Sequence, residues 1–205
     1  MLSFRQYLDE LERKGVPVNL MFESWIYAHI SILRKVVDFL SSETIPYALI
    51  GGSAVALHVA TKDRDEIIPT QDLDLIVNRS DLQKINDSAP KHGFKFRNAA
   101  GMDMLLFGGE TKAIKGVHLV FSGEKVRPSY IMTAPHIHPD HMAVEGLAVA
   151  VIPLPDLVTM KLTSNRDKDR VHIRNMDSVG LITPDIEAHL PTVLKDRLKN
   201  IRETE

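Results

Sequence analysis

Leu49-Ile50-Gly51-Gly52-Ser53-Ala54 is the stretch from which the fold of this chain can be worked out. The apolar residues from Tyr47 to Ile50 predict a strand, and the two glycines after it permit a tight turn with exposed backbone N–H groups. Ser53 is a favoured N-cap, so the apolar run that follows it is predicted to form a helix. Because a helix N-terminus behind a glycine turn attracts anions, this stretch predicts a phosphate-binding turn.

A second stretch, Thr70-Gln71-Asp72-Leu73-Asp74-Leu75, predicts a strand with two carboxylates on one face. Residues two apart in a strand point the same way, so Asp72 and Asp74 share a face while Leu73 and Leu75 point toward a core. Two carboxylates this close repel each other unless they are solvated or bridged by a cation. Mg²⁺ and Mn²⁺ take oxygen ligands of this kind, so Asp72 and Asp74 are candidate metal ligands.

The order of the two stretches is more informative than either one. A glycine turn alone is most often only a turn, and an Asp-x-Asp pair alone is most often a solvated edge or a cap. Glycine turn, helix and then paired aspartates resembles the DNA polymerase beta-like nucleotidyltransferase superfamily, whose signature is Gly-Gly or Gly-Ser followed by Asp-x-Asp. The longer form Gly-Gly-Ser-Ala…Thr-x-Asp-x-Asp is similar to the branch that contains nucleotidyltransferase-type toxins of abortive-infection systems and uncharacterised bacterial homologues.

The resemblance implies an α/β (α+β) fold, in which a mixed sheet is flanked by helices. It implies an N-terminal helical segment at 1–42, a nucleotidyltransferase core at 43–153 and a C-terminal helical segment at 154–205. The implied activity is transfer of a nucleoside monophosphate from a nucleoside triphosphate (NTP) to an acceptor hydroxyl, with Mg²⁺ or Mn²⁺ as cofactor. Asp72 and Asp74 would then be catalytic metal ligands, and Gly51-Gly52-Ser53 would bind the nucleotide.

The resemblance also implies a third carboxylate on a later strand, and here the sequence departs from it. The best matching strand is Val117-His118-Leu119-Val120-Phe121, which places His118 at the position of the acid. Neutral imidazole suits Mg²⁺ less well than a carboxylate does, but its pKa near neutrality suits a base, so His118 is a candidate catalytic residue. Asp103 on a neighbouring predicted strand is the alternative. A degenerate site, in a protein that binds a nucleotide or a protein partner without catalysis, is the other interpretation.

A third informative cluster begins at Pro155, which suits the first turn of a helix. Lys161 follows Leu157 by four residues and Val158 by three, so it lies on the apolar face and needs an anionic partner. That partner would be the site carboxylates or a bound triphosphate, unless the side chain snorkels to solvent. Lys168 shares the face of Lys161 if the helix is unbroken. The resemblance implies that such lysines lie beside the nucleotide pocket, so both are candidate nucleotide-binding residues.

The stretch His136-Ile137-His138-Pro139-Asp140-His141 offers a rival site, since three histidines and an aspartate can hold Zn²⁺. Its prolines indicate a loop rather than the helix of a metallopeptidase motif, and that motif's glutamate is absent. A solvated histidine-rich loop is the favoured interpretation.

Composition narrows the class of protein without selecting one. The 205 residues and 44% hydrophobic content allow a real core, and the net charge of -2 gives no general attraction to nucleic acid. A nucleic-acid or protein partner would therefore need a local patch. The chain contains no cysteine, which fits a reducing compartment, and it shows neither a signal peptide nor an apolar run that could span a membrane. The expected location is the cytoplasm, and no membrane partner is expected.

The remaining predicted elements follow from apolar periodicity and capping residues. Helices are predicted at about 3–14, at 21–41 with His29 on the apolar stripe, from Ser80 to about Pro90, after Thr183, and at 192–202. Further strands are predicted at about 94–97, 102–107, 116–121 and 147–152.

Overall fold

The structure is a computed structural model that describes residues 18–70, 72–107, 116–144 and 146–204, with side chains from residue 30 onward. The chain forms two compact units, Met1–Asp38 and Phe39–Glu205. The predicted helix at 3–14 lies outside the described residues, as does the side chain of His29. The division into segments 1–42, 43–153 and 154–205 stays a prediction.

Seven strands and seven α-helices occur in the described residues. The strands are β1 Tyr47–Ile50, β2 Leu73–Val77, β3 Phe94–Ala99, β4 Met102–Phe107, β5 Val117–Phe121, β6 Asp140–Val144 and β7 Leu147–Val151. The helices are α1 Val18–Ser42, α2 Gly51–Ala60, α3 Leu82–Ser88, α4 Leu154–Ser164, α5 Asp167–Ser178, α6 Pro184–His189 and α7 Thr192–Glu203. In the described residues, no helix combines the length and the apolarity that a membrane span requires.

All seven strands belong to one mixed sheet, in the order β3-β4-β5-β2-β1-β7-β6. The two strands that the opening motif predicts are at its centre, where β1 pairs antiparallel with β2 and parallel with β7. The four residues of β1 are all buried, as expected for a short apolar run in the middle of a sheet. The predicted α/β class with a mixed sheet is confirmed.

The register between β2 and β5 positions the candidate site. These strands are parallel, and Asp74 lies directly opposite His118. Leu75 lies opposite Leu119 on the other face, and both side chains are buried. The alternation predicted for Leu73-Asp74-Leu75 is therefore confirmed, and the pairing brings the imidazole to the face that carries the carboxylate.

The helix after the glycine turn begins earlier than the sequence suggested. Ser53 was expected to be its N-cap, but α2 starts at Gly51 and Ile50 occupies the N-cap position. Gly51 has φ +71°, a left-handed conformation that turns the chain from strand to helix within one residue. Ser53 thus lies inside the first turn, where its hydroxyl donates a hydrogen bond to the backbone carbonyl of Asp72 at 3.2 Å.

The C-terminal helices contain a break that separates the two candidate lysines. Helix α4 ends at Ser164, Asn165 adopts a left-handed conformation with φ 48°, and α5 begins at Asp167. Asparagine tolerates this conformation better than most residues do, which explains the break. Lys161 and Lys168 therefore lie on different helices, and the unbroken helix that would give them a common face is not present.

Most of the other elements follow the sequence. The helix predicted at 21–41 spans Val18–Ser42, and α6 begins after Thr183, whose hydroxyl accepts a hydrogen bond from the N–H of Ile186. The final helix is also confirmed, at Thr192–Glu203. Strand β6 was not predicted, because Asp140–Val144 has mostly exposed or half-exposed residues and is defined only by its pairing with β7.

Candidate active site

Both glycines of the turn are sterically required by the side chains around them. A Cβ at Gly51 would lie 2.0 Å from Oδ2 of Asp74, so the carboxylate packs directly against this residue. A Cβ at Gly52 would lie 2.7 Å from Oγ1 of Thr70 and 3.3 Å from Cε1 of His172. The turn, the aspartate strand and α5 therefore converge at one place.

Asp72 and Asp74 lie at the mouth of this turn, with side chains 26% and 25% exposed. Burial raises the pKa of Asp72, and the neighbouring charge of Asp74 raises it further. The nearest ion pair to Asp72 is a long one, with Nζ of Lys168 at 3.9 Å from its Oδ2. The two carboxylates of Asp72 and Asp74 therefore concentrate negative charge, and direct ion pairs compensate little of it.

His118 makes a hydrogen bond with Asp74, at 3.1 Å between Nδ1 and Oδ1. Because an ionised carboxylate only accepts hydrogen bonds, Nδ1 carries the proton and donates it. In the neutral imidazole the lone pair then resides on Nε2, which gives that nitrogen the character of a base. Asp74 fixes the tautomer of His118 in the same interaction.

Asp103 lies on the other face of the sheet. It pairs with Leu119, one position along from His118, and cross-strand partners share a face. Asn98 donates a hydrogen bond to its Oδ1 at 2.6 Å, and a guanidinium nitrogen of Arg79 lies 3.5 Å from its Oδ2. The alternative in which Asp103 replaces the missing acid is therefore not supported by its position.

Lys161 is buried as predicted, with 5% of its surface exposed, but the carboxylate that pairs with it is Asp169 and not one of the expected site carboxylates. Its Nζ donates to Oδ1 of Asp169 at 2.9 Å, while Ser164 and Nε of Arg166 each donate to Oδ2 at 2.7 Å. Burial opposes the charge of Asp169, but Arg166 and Lys161 hold the pKa of this carboxyl far below its usual range. The role of Lys161 in nucleotide binding stays a prediction.

His172 is buried behind the glycine turn, with 8% of its surface exposed. Burial, followed by the nearby charge of Lys161, lowers the pKa of His172 to about 4. Its Nδ1 has no hydrogen-bond partner among the described residues. His172 is therefore a neutral imidazole at pH 7, packed between Gly52 and the cations of the C-terminal helices.

We expect His172 to make the stability of the protein depend on pH between about 4 and 6.5. The unfolded chain binds a proton in this range that the folded chain does not, so the free energy of unfolding falls as pH falls, by about 2 to 3 kcal/mol. Urea unfolding at pH 7 and pH 4.5 measures this loss. In the variant His172→Phe the loss should be smaller by about that amount, and an equal loss in both proteins would contradict the assignment.

The histidines of the rival cluster point to separate partners. Nδ1 of His136 lies 3.4 Å from the hydroxyl of Ser122, and Nε2 of His138 lies 2.9 Å from Oδ2 of Asp156. His141 belongs to β6. In the part of the chain that the structure describes, no three acidic, histidine or cysteine side chains are grouped to hold a metal ion.

Asp72 and Asp74 fit a divalent cation that is shared with a substrate. Mg²⁺ is commonly held by one or two carboxylates and completes its shell with phosphate oxygens and water. The raised pKa of Asp72, caused by burial and by Asp74, is the electrostatic condition that such a cation relieves. A site closed entirely by protein ligands is not what these two residues offer.

The network around Asp169 was not identified from the sequence. The alternation of Arg166, Lys168 and Arg170 with two aspartates was interpreted as a solvated, self-neutralised surface. In the structure Asp169 is 1% exposed, although Arg166 and Lys168 are exposed. The available signal was the spacing, since Arg166 precedes Asp169 by three residues at the start of a helix.

Comparison with known proteins gives structural matches only. No protein-family model and no curated protein sequence matches the chain. An antigenic nucleotidyltransferase-like protein from Paracoccidioides brasiliensis has a similar structure, with a TM-score of 0.54 and 18% identity over 83% of this chain and 86% of that one.

Two antibiotic-related proteins also match. The antibiotic-resistance factor ANT(2″)-Ia has a TM-score of 0.49 and 10% identity over 87% of this chain and 84% of its own. The lincosamide antibiotic adenylyltransferase LnuA, solved with lincomycin bound, has a TM-score of 0.49 and 13% identity over 72% of this chain and 95% of its own. With the Paracoccidioides match and the sheet described above, the chain has a nucleotidyltransferase fold.

Proposed function

We propose that the protein is a metal-dependent nucleotidyltransferase that moves a nucleoside monophosphate from an NTP to an acceptor hydroxyl. The observation that carries this proposal is the contact between the glycine turn and the aspartate strand, where Asp74 packs against Gly51. A turn that can bind phosphate and a pair of carboxylates that can share a cation are thereby joined in one site. A cysteine-free chain and an NTP substrate agree with a cytoplasmic location.

Each element of the site has a role in this proposal. Asp72 and Asp74 would hold Mg²⁺ or Mn²⁺, which when bound would neutralise charge on the phosphate oxygens. Gly51, Gly52 and Ser53 form the first turn of α2, where their backbone N–H groups would donate to the triphosphate. Outside this turn, Lys161 and Lys168 add positive charge next to the carboxylates.

The proposed reaction needs no reagent other than the NTP and the acceptor hydroxyl. The acceptor oxygen forms a bond to the α-phosphorus, and the bond from that phosphorus to the bridging oxygen breaks, so pyrophosphate leaves with the electron pair. The acceptor hydroxyl loses a proton, and Nε2 of His118 is the group that accepts it. The hydrogen bond from Nδ1 to Asp74 holds the ring in the tautomer that this step requires.

A second candidate function is supported by the same histidine. In this alternative, the protein keeps the nucleotide site but does not catalyse transfer, and it binds a nucleotide or a protein partner instead. His118 lies at the position where the resemblance implies a third acid. Its Nδ1 donates a hydrogen bond to Oδ1 of Asp74. A neutral nitrogen in place of a carboxylate weakens the hold on Mg²⁺.

Transfer of label from α-³²P-labelled NTPs tests both candidates. The unmodified protein is incubated with Mg²⁺ and, as sources of acceptor, separate fractions of small metabolites, RNA and proteins. We expect labelled product and release of pyrophosphate from the unmodified protein. Binding of NTP without transfer, together with transfer by His118→Asp, would instead favour the alternative, because the substitution restores the third carboxylate.

A further inference from the structure

Asp169 is a buried carboxylate whose hydrogen-bonding capacity is fully used by its neighbours. Its Oδ1 accepts from Lys161 at 2.9 Å and from Nη2 of Arg166 at 3.4 Å, and its Oδ2 accepts from Ser164 and from Nε of Arg166 at 2.7 Å each. An ionised carboxylate has about four acceptor positions, so no position remains for a metal or a substrate. Asp169 therefore acts only through the groups that it holds.

A fifth residue, Tyr130, joins this network to the segment between β5 and β6. The hydroxyl of Tyr130 lies 2.8 Å from the hydroxyl of Ser164. Ser164 has one proton, which it donates to Asp169, so the hydroxyl of Tyr130 must be the donor in this pair. The chain of donors thus runs from Tyr130 to Ser164 to Asp169 and leaves each of these groups satisfied.

The cations of the network exceed its anions by one charge. Among the described residues, Asp169 is the carboxylate that forms ion pairs with Lys161 and Arg166, so the three side chains carry a net charge of about +1. Burial lowers the pKa of Lys161, while Asp169 and, more weakly, Asp74 raise it. Lys168, two residues after Arg166, has its Nζ 3.9 Å from Oδ2 of Asp72, so this segment of the chain approaches the candidate metal ligands. The surplus charge therefore lies within electrostatic reach of the two candidate metal ligands.

Arg166 is held at one end and accessible at the other. Its side chain is 44% exposed although Asp169, its partner, is 1% exposed. Nε and Nη2 bind Asp169, and the described residues offer Nη1 no hydrogen-bond partner. A guanidinium that is anchored in this way loses little further side-chain entropy when it binds an anion, and its planar donors match a phosphate group.

We propose that Arg166 is a further phosphate-binding residue of the nucleotide site and that Asp169 is the positioning residue that aims it. The inference rests on the proposed nucleotide site, and it holds whether or not the bound nucleotide is turned over. Arg166 contacts the terminal phosphates, which leave as pyrophosphate when transfer occurs. Asp169 does not touch the nucleotide and sets the direction of Arg166 and Lys161.

A purely structural role is the competing explanation, since Asp169 also joins the end of α4 to the start of α5. That explanation predicts a loss of stability on substitution but no effect on phosphate binding that is specific to Arg166. Arg170, four residues later on α5, is the matched control because its guanidinium binds the side chain of Thr204 instead.

Calorimetric titration of the full chain with tripolyphosphate and Mg²⁺ tests the proposal. We expect Arg166→Ala to raise the Kd by roughly tenfold to a hundredfold, as for loss of a charge-assisted hydrogen bond. Arg166→Lys keeps the charge but lacks the planar guanidinium, so its Kd should lie between those of Arg166→Ala and the unmodified protein. Arg170→Ala should leave the Kd unchanged.

Asp169 is tested through its neighbour Ser164. Direct substitution is not suitable, because Asp169→Asn leaves Lys161 buried without an anion and can prevent folding. Ser164→Ala removes one donor to Asp169 without removing a charge, and we expect it to raise the Kd about twofold to fivefold. In Arg166→Ala and Ser164→Ala, the KM for NTP should rise, with a smaller change in kcat.

The outcomes separate this inference from the proposed function. Equal tripolyphosphate affinity in Arg166→Ala and in the unmodified protein would overturn the role of Arg166 alone. Failure of the unmodified protein to bind either tripolyphosphate or NTP would overturn both the inference and the nucleotide site. An unchanged Kd in Ser164→Ala, with a normal loss in Arg166→Ala, would overturn the positioning role of Asp169.

Discussion

Replacing Asp72 and Asp74 together by asparagine is expected to reduce nucleotidyl transfer about a thousandfold or more while leaving the protein folded. Asparagine preserves the size of each side chain but removes the charges that would hold Mg²⁺. The fold should tolerate the change, because burial and mutual repulsion already raise the pKa of Asp72 and both side chains are about one-quarter exposed. Removal of two neighbouring negative charges relieves that repulsion.

The chain provides its own control for this experiment. Asp63 and Asp65 form a second Asp-x-Asp pair in the loop after α2, where both are exposed and Asp63 accepts a hydrogen bond from the N–H of Asp65 at 2.9 Å. Asp63→Asn with Asp65→Asn changes the net charge by the same amount and preserves that acceptor, so transfer should be unaffected. Transfer of labelled NMP and urea unfolding are measured on both double variants. Normal transfer by the Asp72 and Asp74 double variant would remove these residues from the mechanism.

The parts of the site that could be predicted from the sequence are those that depend on local periodicity. Alternation in Leu73-Asp74-Leu75 assigns faces before any partner strand is known, and the glycine turn follows because glycine accepts the backbone conformation at Gly51 more readily than any other residue type. Predicting that His118 lies opposite Asp74 requires the register between two strands. Only the resemblance, which places His118 in the same site as Asp74, supplied that information. Their hydrogen bond could then be expected from reach alone.

The network around Asp169 could not be predicted, because it depends on a break in the helix. The inward direction of Lys161 follows from the 3.6-residue period, but its partner depends on where the chain goes after Ser164. Asn165 turns the chain so that α5 returns Asp169 to the end of α4. A continuous helix would have carried Asp169 away from Lys161 by more than two turns, so one residue in a left-handed conformation decides the partner.

Substitution of Gly51 separates an effect on transfer activity from an effect on stability more clearly than substitution of the aspartates does. Gly51→Ala is expected to reduce transfer roughly a hundredfold, as for a displacement of a catalytic group by about 1 Å. The new Cβ would lie 2.0 Å from Oδ2, 2.8 Å from Cγ and 2.9 Å from Cβ of Asp74. Rotation of the Asp74 side chain can move the first two atoms but not its Cβ, so either the turn or β2 must also shift. The carboxylate then leaves the position in which it meets His118 and Asp72.

Gly101→Ala separates this effect from backbone strain. Gly101 has φ +75°, close to the +71° of Gly51, but a Cβ there would meet nothing within 4 Å. Both variants should lose about 1 to 2 kcal/mol of stability from the left-handed conformation, and Gly51→Ala should lose about 1 to 3 kcal/mol more from the steric overlap. Only Gly51→Ala should lose transfer activity and NTP affinity, measured at a temperature where both variants are fully folded. If the two variants lost activity equally, strain rather than the position of Asp74 would be the cause, and the packing of this carboxylate against the turn would have no functional role.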